Sequence, residues 1–199
     1  MLALIEEINH SLAGFAPDHI RPPHKAMMRI YRDTRFAADK RPYKTRIAAW
    51  WARTGLEKTS GGGFYLSLSA TEVTIAAGVY MPGPEQLLAI RRHLVEHHAE
   101  FRALLARRPL RAVLSELEGN RLTRAPRGFP AGSPAIDLIL ARQWGVSATL
   151  PPEQALLPTL SREIVLRFRL AAPLVHFLNA PLGASNGEKD APIAVFVPY

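Results

Sequence analysis

The chain has 199 residues, enough for one domain with its own hydrophobic core, and 48% hydrophobic against 21% charged residues is the balance of a folded protein. It has no cysteine, which excludes disulfide frameworks, thiolate catalysis, cysteine-ligated zinc and iron-sulfur clusters. The net charge of +8 is local: residues 21–58 hold 11 Lys and Arg against Asp33, Asp39 and Glu57, while the remainder holds 14 basic and 14 acidic residues.

In chain order, Leu2, Ile5, Ile8, Leu12 and Phe15 recur every three or four residues and predict an amphipathic helix that ends at Gly14 and Pro17. Pro22 and Pro23 argue against a helix over 21–35, where Met28 and Ile30 alternate with their neighbours on the way into a strand. Residues 36–43, with Asp39, Lys40 and Pro42, read as a loop. Strand-like runs follow at 47–51, 64–68 and 73–80, and the glycine-rich 58–63 between the first two reads as a flexible hairpin turn.

After Pro82, Gly83 and Pro84 the period changes to that of a helix, with Leu87, Ile90, Leu94, Phe101 and Leu105 on one stripe. Short helices are expected at 109–118 and 134–141, separated by a proline- and glycine-rich surface loop carrying Arg124 and Arg127. A strand at 144–150 precedes a helix over 159–180, in which Pro173 predicts a kink or break. These elements predict an α+β fold: an antiparallel sheet of several strands, about 28–80 plus about 144–150, packed with C-terminal helices. The expected organisation is one α+β domain over 1–182 and a tail over 183–199, either disordered or an added strand.

The N-terminus has acids where a secretory signal carries positive charge, and no run approaches the roughly 18 apolar residues of a membrane span. The cytoplasm of a microbe is the expected compartment, with no membrane partner.

Three motifs invite a chemical reading. His93, Glu96 and His97 fit the H-x-x-E-H pattern of inverted zinc peptidases, but no later segment stands out as donor of a third ligand, and an exposed polar helix flank explains the pattern as well. Gly183, Ser185 and Gly187 fit G-x-S-x-G without the strand and helix that a nucleophile elbow requires, and Gly61, Gly62 and Gly63 lack the order of a phosphate loop. Neither a metal nor a cofactor is expected. In the pair Trp50 and Trp51 one ring should enter the core and the other face outward, where it suits a base or a protein interface.

The most distinctive segment is the run from Arg32 through Asp33, Arg35, Asp39, Lys40, Tyr43 and Lys44 to Thr45. Its guanidinium and ammonium groups can converge on a phosphate or carboxylate, or tie the loop to the sheet through Asp33 and Asp39. This run, with Gly63-Phe64-Tyr65-Leu66, Gly78-Val79-Tyr80-Met81-Pro82, Leu122, Pro126-Arg127-Gly128-Phe129-Pro130 and Pro134-Ala135-Ile136-Asp137-Leu138, resembles a bacterial family of conserved hypothetical proteins, domain of unknown function 2461, from Met28 to Leu182. The resemblance implies an α+β fold and no particular reaction. It also implies that the chain is shortened, since family members begin with a further helical segment bearing an asparagine-rich, tryptophan-containing motif. The family has an Asp-His pair where this chain has Gly132 and Ser133, a polar ring residue at Ser67, and glycines at Ala76 and Ala77.

The resulting expectation is binding of an anionic or phosphorylated small molecule through Arg32, Arg35, Lys40 and Lys44, with Tyr43, Tyr65 and Tyr80 shaping the pocket and Arg127 joining from the later loop. The alternatives are single-stranded nucleic-acid binding by the same face, and a non-catalytic interaction module that uses the apolar segment 193–197.

Overall fold

The computed structural model describes residues 1–35, 38, 40–56, 61–116 and 119–183. Helix α1 spans Leu2–Leu12 and buries Ile5, Ile8 and Leu12, the stripe that its sequence spacing predicts. A short α2, Pro23–Ala26, follows. The two prolines do not prevent it, because Pro23 occupies the first helical position, where the missing N–H would have had no partner.

Among the described residues five strands form one antiparallel sheet in the order β1-β2-β3-β5-β4. These are β1 Arg46–Ala52, β2 Gly63–Ser69, β3 Val73–Val79, β4 Ser115–Glu116 and β5 Trp144–Leu150. The tight β2–β3 turn is closed by the Ser69 hydroxyl, which accepts the backbone N–H groups of Thr71 and Glu72. At the β3–β5 pair Gly78 adopts φ +141°, and a Cβ there would stand 2.3 Å from the Trp144 carbonyl oxygen, so the strands meet at a distance only glycine permits.

Helix α3, Pro84–Leu105, starts with Pro84 in its first position and with the Gly83 N–H donating to the Gln86 side chain at 2.8 Å. Helix α4 covers only Arg108–Arg111; the expected helix at 109–118 gives way to β4, whose Ser115 and Glu116 pair with Ser147 and Val146. Helix α5 is Ile136–Leu140. Helix α6, Leu160–Asn179, passes through Pro173 as one element, with Ala171, Ala172, Leu174 and Val175 buried on either side of the proline. The departure from helical geometry falls instead in α3, at His97, with φ −122° and ψ 25°. Among the described residues no helix is long and apolar enough to cross a membrane.

Alternation along the strands sends Ala49, Trp51, Phe64, Leu66, Ile75 and Val146 to one face, where they share a core with α1, α3 and α6. Phe168 lies 4.9 Å from Phe64 and 5.4 Å from Trp51, ring centre to ring centre. Burial of each such ring contributes about 1.5 to 3 kcal/mol. Two asparagines bond polar groups that this core encloses. Asn9 accepts the Trp51 indole N–H at 3.0 Å and donates to the Arg21 carbonyl at 2.8 Å, and Asn179 bonds both backbone groups of Gly62. Gly61, Gly62 and Gly63 are therefore buried under the end of α6 rather than exposed in a flexible turn.

The opposite face carries Ala48, Trp50, Tyr65, Ser67, Ala76 and Ser147. The segment expected to begin the sheet near Met28 is no regular strand of it: Met27 makes an isolated bridge to Ala49 of β1, and Tyr31 makes one to Tyr43, ahead of β1.

Candidate functional site

The basic run folds back on itself. Lys44 donates its backbone N–H to the Ile30 carbonyl at 2.8 Å and Arg32 to that of Pro42 at 2.9 Å, so 30–32 and 42–44 form a two-stranded ribbon whose base is anchored on β1 by the Met28 N–H to Ala48 bond at 2.8 Å. Where this base meets the sheet, Met28, Arg29, Lys44, Arg46, Ala48 and Tyr65 enclose a cavity of about 10 Å³. That is room for one water or one oxygen of a larger anion.

Electrostatics at the cavity are one-sided. Burial pushes the half-buried Lys44 ammonium below the usual lysine range, and the positive charges of Arg46 and Arg29 push it further the same way. Tyr65, buried against Ala48, Ala76, Met28 and Trp50, has its phenol pushed up by burial, while a hydrogen bond from Ser67 and the charge of Arg46 pull it down. The combination is a partly desolvated cation from the ribbon and a phenol from β2, with further positive charge around them.

The sequence-predicted residues divide into three groups. Lys44 and Tyr65 meet at this cavity. Arg32, Arg35, Lys40 and Tyr43 lie on the ribbon beyond it. There Arg35 holds Asp33 through two side-chain bonds, Nε to Oδ1 at 2.9 Å and Nη2 to Oδ2 at 2.6 Å, and Lys40 donates to the Thr34 carbonyl at 3.0 Å. Tyr43 stacks with Tyr31 at 5.4 Å. Tyr80, half-buried, follows β3, and Arg127 is exposed on the connection between β4 and α5, both outside the residues that line the cavity.

Sequence reasoning did not single out Arg29 and Arg46. The signal available was the alternation of Lys44 and Arg46, which in extended backbone turns both side chains to one side. Of the tryptophan pair, Trp51 is the ring that enters the core, and Trp50 is half-buried against the Ala48–Tyr65–Ala76 cluster.

The other motifs stand apart. His93 packs against His97 and against Phe177 of α6, each at 4.5 Å between ring centres, and Glu96 is 3.9 Å from His97. Among the described residues no group of three or more His, Asp or Glu side chains converges on a common centre. The G-x-S-x-G match and the apolar segment 193–197 lie, apart from Gly183, outside the described residues. A second cavity of about 40 Å³ between α3 and β5 is lined by Phe101, Leu138 and Trp144 with Glu116, Asn120 and Arg121; it mixes an acid with a base and contains none of the predicted site residues.

The family model described as "Conserved hypothetical protein (DUF2461)" matches residues 1–177, and the chain belongs to that family. The match extends ahead of Met28 to residue 1 and so includes α1. No curated protein and no solved structure matches the chain.

Proposed function

We propose that this member of the DUF2461 family binds a small oxyanion, such as a phosphate group on a metabolite, at the foot of the basic ribbon. The observation that carries this reading is the convergence of Arg29, Lys44 and Arg46 with Tyr65 on one small cavity. Lys44 contributes the charge, the Tyr65 hydroxyl a directional hydrogen bond, and the two arginines the surrounding positive potential. Because the cavity takes a single oxygen, the rest of the anion sits at its mouth, beneath the ribbon that carries Arg32, Arg35 and Lys40.

Half-burial gives such a site an advantage over a surface charge cluster. Salt screens exposed charges over about 8 Å at physiological ionic strength but screens partly buried ones much less. The test is thermal unfolding with inorganic phosphate and sugar phosphates at low and moderate salt. Ligand at about 100 times its dissociation constant stabilises the native state by about 2.7 kcal/mol, roughly 5 to 10 °C for a chain of this size. A shift that survives added salt supports the reading. No shift with any of these anions overturns it.

A further inference from the structure

The ribbon has two sides, and the cavity engages only one. Tyr31 and Tyr43 stand directly opposite each other in the two strands. Extended backbone turns neighbouring side chains to opposite sides, so Tyr43 leaves the ribbon away from Lys44, which lines the cavity, and Tyr31 leaves with its partner. The two rings lie 5.4 Å apart at 37°, and the residues are 60% and 53% exposed. A pair of large aromatic residues held in water at this level is unusual in a molecule that buries Trp51, Phe64, Phe101 and Phe168 completely or nearly so.

Charge specifies what the pair faces. Residues 29–46 hold seven Lys and Arg against two Asp, a net charge of +5, and Lys40 among them is exposed. Lysine is depleted at the centres of protein interfaces, whereas aromatic rings set among cations are the composition that binds unpaired bases on a polyanionic strand. A duplex keeps its base faces stacked and out of reach of such rings.

We infer that the Tyr31–Tyr43 side of the ribbon binds single-stranded nucleic acid, its rings stacking on bases while the exposed cations of the ribbon meet the phosphates. This surface is separate from the oxyanion cavity, and the inference does not rest on that reading. The stacking position passes from Trp50, which the sheet face half-buries, to two tyrosines that sequence reasoning had assigned to a pocket wall or left unassigned.

The experiment is fluorescence anisotropy with a labelled oligothymidylate and oligouridylate of about 12 nucleotides, and a duplex of the same length, at about 50 and 200 mM salt. The wild-type chain should bind a single strand in preference to the duplex; the tighter of the two single strands identifies the source. Contact with about three phosphates gives a log–log salt slope near −2. The double variant Tyr31→Ala, Tyr43→Ala should lose about 5-fold to more than 100-fold in affinity, and Tyr31→Phe, Tyr43→Phe should retain it. Should the alanine variant fail to fold by circular dichroism, Tyr31→Leu, Tyr43→Leu keeps the bulk without the π-face and should show the same loss. Absence of single-strand binding, equal binding of the duplex, or unchanged affinity in the alanine or leucine variant overturns the inference. Inorganic phosphate binding, read separately, should be unchanged in all of these variants, so failure of either proposal is visible without the other.

Discussion

Arg35 grips Asp33 two residues earlier in the chain, Nη2 to Oδ2 at 2.6 Å and Nε to Oδ1 at 2.9 Å, so the cation nearest the tip of the ribbon has its own acid beside it. The hydrogen bonds from Arg35 lower the Asp33 carboxyl to about 2. Whatever stability the pair contributes is present above the ordinary carboxylate range and is lost as pH falls through about 2. Both groups are exposed, so Asp33→Asn should leave the unfolding temperature nearly unchanged. A carboxyl-carbon NMR titration should place Asp33 near 2, well below the exposed acids; a midpoint near 4 would show that the pair does not persist in solution.

Asn179 closes a long-range relationship. Its Oδ1 accepts the buried Gly62 N–H at 2.7 Å, and its Nδ2 donates to the Gly62 carbonyl at 3.1 Å, joining the end of α6 to the start of β2. Asn179→Ala leaves both groups unpartnered in a buried place and should destabilise by about 2 to 4 kcal/mol, read from urea unfolding. Asn179→Asp keeps the acceptor but sets a buried carboxylate oxygen against the Gly62 carbonyl, so at neutral pH it should cost at least as much as the alanine variant. A loss below about 0.5 kcal/mol for the alanine variant would show that water replaces the side chain at no cost.

His19 is fully buried, its Nδ1–H donating to the Trp51 carbonyl at 2.9 Å while Nε2 is enclosed without a partner. Burial lowers its pKa below the usual histidine value, opposed by the Trp51 bond and by Asp18 and reinforced by His176 and Arg53. The unfolded chain therefore binds the proton more readily, and stability should fall as pH drops below about 6.5. His93, lowered by burial and by His97, acts in the same direction, so the decisive comparison is between parent and variant. His19→Gln should unfold more easily at neutral pH by about 1 to 2 kcal/mol yet show a flatter loss between pH 7.5 and 5. An equally steep loss in the variant would remove His19 as the source.

Much of this architecture was legible in the sequence because it is local. The spacing of Ile5, Ile8 and Leu12 forecasts α1, and the alternation through Phe64, Leu66 and Leu68 forecasts β2. What escaped depends on distant partners. Two residues, Ser115 and Glu116, carry no periodic signal, and only pairing with β5 makes them a strand. Pro173 sits in a helix that packing on both sides holds together, and the glycines at 61–63 are buried by an asparagine 117 residues away. The candidate site was half legible for the same reason. Lys44 and Tyr65 were chosen for their chemistry, but Arg29 joins them only because the ribbon brings 30–32 against 42–44.

Lys44 itself should be an unfavourable residue in the ligand-free protein. Burial, and then the charges of Arg46 and Arg29, depress its pKa, so the charged form destabilises the fold below the lysine range, and stability should be recovered as pH rises through its lowered folded-state value toward 10.5. Lys44→Met should therefore hold or slightly raise the unfolding free energy, by no more than about 1 kcal/mol, because the side chain is only half-buried. A clear loss of stability would indicate that the ammonium already has a favourable partner.

That substitution also provides the most direct test of the oxyanion site. Isothermal titration of inorganic phosphate into the parent chain and Lys44→Met, at neutral pH and moderate salt, should give one site in the parent. Loss of a charge-assisted hydrogen bond of about 1.5 to 3 kcal/mol should weaken it about 10-fold to more than 100-fold in the variant. No binding by the parent, or equal affinity in a variant of unchanged stability, would contradict the assignment of Lys44 and Tyr65 as an anion site.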